Sequence, residues 1–154
     1  MLTIFRRAEL PKELRSLMIF DRKVFGESDR FDAPYWQTLE SYWLLEGGVK
    51  VGCCAFERNV AQNSLYIATT GIHPGFQGRG FGRLMKAWEV AFARHHGFKR
   101  IVTNCRKRNT AMIRLNKNFG FKAIRTEPRY YSDPVDSMVV MELRLAPGSA
   151  FSRV

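Results

Sequence analysis

The sequence lacks long apolar runs and any secretory signal. No stretch approaches the roughly 18 to 20 apolar residues that a membrane-spanning helix needs. The first ten residues carry Arg6, Arg7 and Glu9, and they have neither the apolar stretch nor the cleavage site of a signal peptide. The 154 residues, 45% of them hydrophobic, contain no internal repeat and no dividing linker. We therefore expect one globular domain at 1–145, a flexible tail at 146–154, and no membrane association.

Cysteine is also sparse. Cys53 and Cys54 are adjacent and Cys105 stands alone, so the three residues have neither zinc-ligand spacing nor the even number typical of a disulfide framework. The sequence therefore predicts no metal site. Cysteines used in this way favour a reducing, cytoplasmic location.

Acidic residues are scarce in the second half of the chain. The formal net charge is +11, from 25 basic and 14 acidic residues. Between Arg94 and Arg129 eleven Lys and Arg residues are opposed by Glu127 alone. A field of this kind attracts anions, which leaves open a polyphosphate ligand, a nucleic acid or an acidic protein surface.

Strand and helix patterns alternate along the chain and predict a single-domain α/β fold with a mixed sheet. The clearest hairpin turns at Gly47-Gly48, because paired glycines supply the positive φ angles of a tight turn. The predicted strands are Leu2–Arg6, Tyr42–Leu45, Val49–Phe56, Ser64–Ile72, Lys99–Thr103, Phe121–Ile124 and Met138–Leu145. The predicted helices follow Pro11, surround Trp36, and cover Gly82–His96 and Asn109–Phe119.

A glycine-rich turn, His73–Arg83, joins a strand to the strongest predicted helix. Helix N-termini leave backbone amides without partners, and glycines let an anion approach them closely. The turn therefore predicts a pyrophosphate site, with a simple strand-to-helix connection as the alternative. Its spacing fits neither a P-loop nor a Rossmann motif. The residues that add charge around it are Arg79, Arg83 and Lys86.

The segment Gln77-x-x-Gly80-x-Gly82 resembles the Gln/Arg-x-x-Gly-x-Gly/Ala signature of the GNAT superfamily of acyl-CoA-dependent N-acetyltransferases. Asn109-x-Ala111 and Asn118-Phe119-Gly120-Phe121 follow in the family's order, so the resemblance covers about Leu2 to Leu145. It implies a mostly antiparallel sheet that is splayed at its central strands, with helices on both faces. It also implies direct transfer of acetyl from acetyl-CoA to a primary amine of a small molecule or peptide in a ternary complex. Protein N-terminal amine acetyltransferases are the most similar members.

The resemblance also implies where the cofactor binds. The turn would hold the pyrophosphate of coenzyme A, and the end of the preceding strand would run along the pantetheine. The Ile72 amide would donate to the thioester carbonyl and stabilise the oxyanion. The implied cofactor-binding residues are Thr70, Gly71, Ile72, Gln77, Gly78, Arg79, Gly80, Phe81, Gly82, Arg83, Asn109, Met112 and Asn116.

The sequence departs from the family pattern at the acid and the base. Asn116 stands where many relatives carry a tyrosine acid, and Asn104 stands where some carry a glutamate base. Tyr131, in a Tyr130–Asp136 segment similar to an acceptor groove, is a candidate to hold the acceptor or to donate a proton. Weaker candidates for a base or an ammonium anchor are Glu127, Asp133 and Asp136. The residues interpreted as structural are His73, His95, His96 and Cys105.

Two alternatives to a transferase stay open. One is a GNAT-like protein that binds coenzyme A without turnover, which Asn104 and Asn116 favour. The other is a basic nucleic-acid or ribosome-associated module, which leaves the glycine turn unexplained and lacks the expected interleaving of aromatic and basic residues. We interpret the basic run Arg106–Arg108 as a clamp for the coenzyme phosphates rather than as a solvated face. The expected partners are thus acetyl-CoA and an amine; nucleic acid is disfavoured and a homodimer is left open.

Overall fold

The computed structural model describes residues 2–146, so most of the predicted tail at 146–154 lies outside the described residues. Strands and helices alternate as the sequence predicts. The strands are β1 (Thr3–Arg7), β2 (Glu40–Glu46), β3 (Val49–Asn59), β4 (Ser64–Ile72), β5 (Arg100–Arg106), β6 (Lys122–Ser132) and β7 (Val135–Arg144). The helices are α1 (Leu14–Phe25), α2 (Ala33–Thr38), α3 (Phe81–His95) and α4 (Thr110–Asn118), and Pro74–Phe76 forms a 3₁₀ turn.

The strands form one seven-stranded sheet in the order β1-β2-β3-β4-β5-β7-β6. The pairs β1–β2, β2–β3, β5–β7 and β6–β7 are antiparallel, whereas β4 and β5 run parallel. The parallel ladder joins Ser64–Ile67 to Arg100–Thr103, which is only four of the nine residues of β4. The sheet is therefore splayed at its central strands, and the predicted mixed, mostly antiparallel α/β fold is confirmed.

The two hairpins compare differently with the sequence analysis. The β2–β3 turn is where it was expected, with Gly47 at φ 55° and Gly48 at φ 84°. The last hairpin is longer than predicted, because β6 continues past Ile124. Most side chains of β6 are exposed on both faces, so the strand has no apolar alternation by which a sequence pattern would reveal it. Its register also shifts in the stretch that contains Arg129, which has a φ of 54°.

The backbone groups into two compact units, the first comprising residues up to Glu57 together with Ala68–Met85. In this unit α1 and α2 pack on one face of β2 and β3, where Phe20 meets Trp43 edge to face with centroids 5.5 Å apart. Cys53 of β3 belongs to that cluster. The neighbouring Gly52 faces the other way, since a Cβ there would lie 2.7 Å from Met85 Cε of α3. Helices thus cover both faces of β3.

The second unit comprises Arg58–Ile67 together with the chain from Lys86 onward. Most of its buried apolar side chains come from α3, β4, β5 and β7, and they include Val90, Ile101 and Met141. One ion pair is buried with them on α3, where Lys86 Nζ lies 2.9 Å from Glu89 Oε1.

Glu13, just before α1, ties the first unit together through one carboxylate. It accepts hydrogen bonds from the Arg6 guanidinium at 2.9 and 3.1 Å, from the Glu9 amide at 2.9 Å and from the Trp43 indole at 3.2 Å. Lys50 Nζ lies 3.4 Å away, and the carboxylate side chain is only 13% exposed. The Arg6 hydrogen bond is the main reason why the pKa of Glu13 falls to about 2.

We expect Glu13→Gln to destabilise the protein at pH 7 by about 1–3 kcal/mol, because the amide removes charged hydrogen bonds. A lowered folded-state pKa stabilises above the unfolded value of 4.5, and that stabilisation is lost as the pH falls toward 2. Urea unfolding from pH 7 to pH 3 should therefore show the gap between wild type and variant narrowing below pH 4.5. Glu9→Gln, at an exposed carboxylate nearby, is the control. A gap that stays constant with pH would contradict the assignment.

Candidate functional site

The end of β4 is oriented by its hydrogen bond to β3. The His73 amide donates to the Val51 carbonyl at 2.8 Å. Because successive residues of a strand point their amides to opposite edges, the Ile72 amide points away from β3. The Gln77 side chain turns back and donates to the Ile72 carbonyl at 3.0 Å. This bond gives the signature glutamine a physical role, since it ties the glycine turn to the last residue of β4.

The turn itself presents bare backbone to its surroundings. Gly78 and Gly80 have φ angles of 79° and 87°, and a Cβ on either would meet no atom within 4 Å. The first helical bond of α3 runs from the Leu84 amide to the Gly80 carbonyl at 3.1 Å. No group within residues 2–146 accepts a hydrogen bond from the amides of Gly78, Gly80, Phe81 or Gly82. Open amides in sequence at the start of a 15-residue helix form an anion-binding arrangement.

Aromatic side chains support the turn from within the first unit. The Phe76 ring lies 5.8 Å from His73 and 6.3 Å from Phe81, and the Arg79 guanidinium lies 5.2 Å from its centroid. His73 Nδ1 accepts a hydrogen bond from the Gly75 amide at 3.0 Å. That bond requires an unprotonated Nδ1 and assigns the ring proton to Nε2. His73 thus acts as a turn residue, as the sequence analysis interpreted it.

In the second unit, the α4 residues expected at the cofactor make structural contacts. Asn109 Oδ1 accepts from the Met112 amide at 3.2 Å and caps the helix. Asn116 is buried, and its Nδ2 lies 3.6 Å from Met141 Sδ. Its Oδ1 has no hydrogen-bond partner among the described residues. Cofactor contacts by Asn109, Met112 and Asn116 therefore stay predictions.

The acid and base candidates also lie in the second unit. Asn104 of β5 donates to the Tyr66 hydroxyl at 2.7 Å, so its amide links β5 to β4. Tyr131 of β6 is half-buried with its ring 4.3 Å from the Arg106 guanidinium. Asp136 accepts from the Arg108 amide at 3.2 Å.

Two of the three residues of the predicted phosphate clamp are engaged by the β6–β7 hairpin. Arg106 donates to the carbonyl of Pro134 at 2.7 Å, and Arg108 Nε lies 3.4 Å from Asp136 Oδ2. These contacts hold the hairpin against the end of β5, which is a structural role that the sequence analysis did not expect.

The structure groups the predicted site residues by unit. Within the first unit, the end of β4, the glycine turn and the first turn of α3 are consecutive and share one anchor, Gln77. The residues so grouped are Thr70, Gly71, Ile72, Gln77, Gly78, Arg79, Gly80, Phe81, Gly82 and Arg83. The second unit holds Asn104, Asn109, Met112, Asn116 and Tyr131.

Sequence reasoning missed Asp21 of α1. The side chain is buried, at 4% exposure, and its Oδ2 accepts from the Phe31 amide at 3.2 Å. Burial raises its pKa to about 6, with a smaller contribution from the charge of Asp29. A signal was present, because position 21 falls four residues after Leu17 on the apolar stripe of the helix.

Residues 2–146 show neither a metal-binding cluster nor a membrane-spanning helix. This part of the chain has no cluster of three or more His, Cys, Asp or Glu side chains that could hold a metal ion. None of its helices is long and apolar enough to cross a bilayer.

Residues 11–121 match the model of the acetyltransferase (GNAT) family. No curated protein matches the chain in sequence.

Several solved structures share the fold. The ribosomal-protein-S18-alanine N-acetyltransferase from Escherichia coli has a TM-score of 0.83 at 15% identity, covering 96% of this chain and 98% of its own. NAA60 from Arabidopsis thaliana, in complex with a bisubstrate analogue, has a TM-score of 0.79 at 15% identity, and the match covers 95% of this chain and 99% of that one. A GNAT family acetyltransferase from Elizabethkingia anophelis with acetyl-CoA bound has a TM-score of 0.75 at 13% identity, and the match covers 93% of this chain and 98% of that one. At such identities the similarity establishes the fold.

We expect Asp21→Asn to stabilise the protein at pH 8. The asparagine retains an oxygen for the Phe31 amide and removes a buried charge. A carboxyl whose folded pKa is raised from 3.8 to about 6 loses stability as the pH rises through that window. The gain should therefore be about 1–3 kcal/mol at pH 8 and close to zero at pH 4. Urea unfolding at both pH values measures it, with the exposed Glu27→Gln as control. Equal destabilisation at both pH values would contradict the prediction.

Proposed function

Because the chain belongs to the GNAT family of acetyltransferases, we propose that it is an acetyl-CoA-dependent N-acetyltransferase acting on a primary amine in a ternary complex. The observation that carries the proposal is the glycine turn, whose open amides start α3 while Gln77 fastens it to the end of β4. An acyltransferase of this kind needs its anion site at a fixed distance from its thioester site. The hydrogen bond from Gln77 to the Ile72 carbonyl fixes that distance. We propose residues 1–145 as the catalytic domain.

The amides of Gly78–Arg83 fit a diphosphate. The amides of Gly78, Gly80, Phe81 and Gly82 have no acceptors within the described chain, and the glycines leave the approach unobstructed. Acetyl-CoA, held there by its pyrophosphate, supplies an activated acetyl thioester. Arg79 and Arg83 are exposed beside the turn and add positive charge.

The Ile72 amide is proposed as the oxyanion donor. Its N–H points to the β4 edge opposite β3, as the bond between the His73 amide and the Val51 carbonyl requires. A backbone amide held in this way costs no reorganisation when charge develops on the thioester oxygen. Thr70 and Gly71 would lie along the pantetheine on the same strand.

Acceptor chemistry is assigned more coarsely. Tyr131 and Arg106 stack near the β6–β7 turn, and we propose that this hairpin contributes to the acceptor site. A peptide α-amine is the acceptor that we favour, with small-molecule amines as the alternative. The proposed location is the cytoplasm. The three cysteines of the protein are buried and form no disulfide within the described chain, which supports a reducing environment.

A second candidate function is coenzyme A binding without turnover. It is favoured by the two asparagines at the acid and base positions, since neither Asn104 nor Asn116 exchanges a proton at neutral pH. The two candidates share the cofactor site and differ only in whether acetyl leaves it.

We expect Gly80→Ala to weaken acetyl-CoA binding by at least about tenfold, because a Cβ would enter the diphosphate approach and φ 87° disfavours alanine. Gly97→Ala is the matched control, since Gly97 has φ 76° and an equally open surrounding at the end of α3. Both variants should lose about 1 kcal/mol of stability. Titration calorimetry measures the acetyl-CoA affinity of each variant, and equal affinities would contradict the assignment of the glycine turn as the diphosphate site.

Turnover is tested by thiol release from acetyl-CoA across peptide α-amines, lysine peptides and polyamines. Amine-dependent release at a rate above hydrolysis supports the transferase. Tight acetyl-CoA binding with no release from any amine would replace it with the non-catalytic candidate.

A further inference from the structure

A small pocket lies between α1, α2 and β4 in the first unit, and we call it the Asp21 pocket. Its wall includes Asp21 and Phe25 of α1, Trp36 of α2, and Thr69 and Gly71 of β4. The cavity volume is about 10 Å³, which is the room that one water molecule needs.

Two polar groups in this wall have unused hydrogen-bonding capacity. The Trp36 side chain is 1% exposed, and its indole Nε1 has no acceptor among the described residues. A buried donor without a partner destabilises the fold, so such a group calls for an acceptor. Asp21 uses Oδ2 for the Phe31 amide and forms no ion pair in the described chain. A single water that accepts from Trp36 and donates to Asp21 satisfies both groups.

The pocket adjoins the strand residues that the proposed function uses. Gly71 contributes to its wall and directly precedes Ile72, the proposed oxyanion donor. A Cβ on Gly71 would lie 3.0 Å from Val24 and 3.2 Å from Phe25, so glycine is what lets the end of α1 approach β4 this closely. The Ile72 side chain, 3.0 Å from a Cβ built on Gly52, lies on the α3 side of the strand. The pocket therefore lies on the face opposite α3.

We propose that Asp21, acting through a water held in this pocket, accepts the proton that the acceptor ammonium must lose before it attacks the thioester. The inference rests on the proposed function and names the base that Asn104 does not supply. The ammonium gives a proton to the water, and the water gives one to the Asp21 carboxylate. The amine nitrogen then forms a bond to the acetyl carbon, the C–S bond breaks, and its electron pair stays on sulfur. The nitrogen loses a second proton as it becomes an amide, and the thiolate takes that proton up. Asp21 returns its own proton to solvent, so the ammonium and the thioester give an amide, a thiol and one released proton.

The surroundings of Asp21 suit this role. Asp29, in the segment after α1, adds negative charge, and Cys53 contributes a buried thiol from β3. The pocket residues of α2 and β4 carry no charge. With burial as the main cause, the pKa of Asp21 rises to about 6. The carboxylate is thus ionised at pH 7 to 8 and is a stronger base than an exposed aspartate.

The test compares wild type with Asp21→Asn for acetyl-CoA affinity, kcat, KM for the amine, and the pH profile of kcat from 5 to 9. We expect unchanged affinity, a fall in kcat of about 100-fold or more, and loss of the acid limb near pH 6. Trp36→Phe keeps an aromatic side chain and removes the N–H donor, so it should lower kcat without changing acetyl-CoA affinity. Glu27→Gln, in the segment after α1 and 65% exposed, is the matched control and should leave all four quantities unchanged.

Three results would overturn the inference. If the Asp21→Asn enzyme keeps the wild-type kcat and the acid limb of its pH profile, Asp21 is not the proton acceptor, while the proposed transferase activity still holds. A rise in KM with kcat unchanged would make Asp21 an anchor for the ammonium instead of its base. Wild-type protein that binds acetyl-CoA but acetylates no amine refutes the proposed function, and this inference with it.

Discussion

The arrangement of the site depends on how the last residues of β4 are held. One hydrogen bond to β3 decides which edge of the strand each amide faces, and one from Gln77 holds the carbonyl of Ile72. The first fixes direction and the second fixes the distance between the strand end and the glycine turn. Neither bond involves a ligand, so the protein orients these groups before any substrate arrives. Preorganisation of this kind is what makes backbone donors effective in catalysis.

Charge is distributed unevenly over the same framework. The first unit balances its charges locally, as Glu13 does with Arg6 and Lys50. The second unit carries most of the excess basic residues, many of them exposed on α4 and β6. Arg106 and Arg108 show that part of this charge is structural, because both bind the β6–β7 hairpin. A basic run in a sequence thus mixes ligand contacts with internal ties, and only geometry separates them.

The sequence revealed those features that have a local physical cause. Gly47-Gly48 predicted its hairpin because positive φ angles are a property of single residues, and β4 was predicted with its observed bounds, Ser64–Ile72. The extension of β6 was missed because an exposed strand has no apolar period. Asp21 was missed because the buried face of a helix is predicted from the spacing of its apolar residues. An acidic residue on that face is therefore not expected to be buried. The significance of Asp21 arises from Trp36 and Gly71, which are distant in sequence and meet it only in the folded chain.

The edge formed by β6 has a consequence for self-association. An outer strand of eleven residues offers unsatisfied backbone groups along its length, and such edges recruit other chains into larger sheets. Here Pro128 removes one donor, the register shifts in the stretch that contains Arg129, and Lys122 and Arg129 place positive charge along the strand. If a second copy paired its β6 with this one, the positive side chains of the two strands would repel each other. This repulsion opposes edge-to-edge association, although the strand is long and unpaired on its outer side.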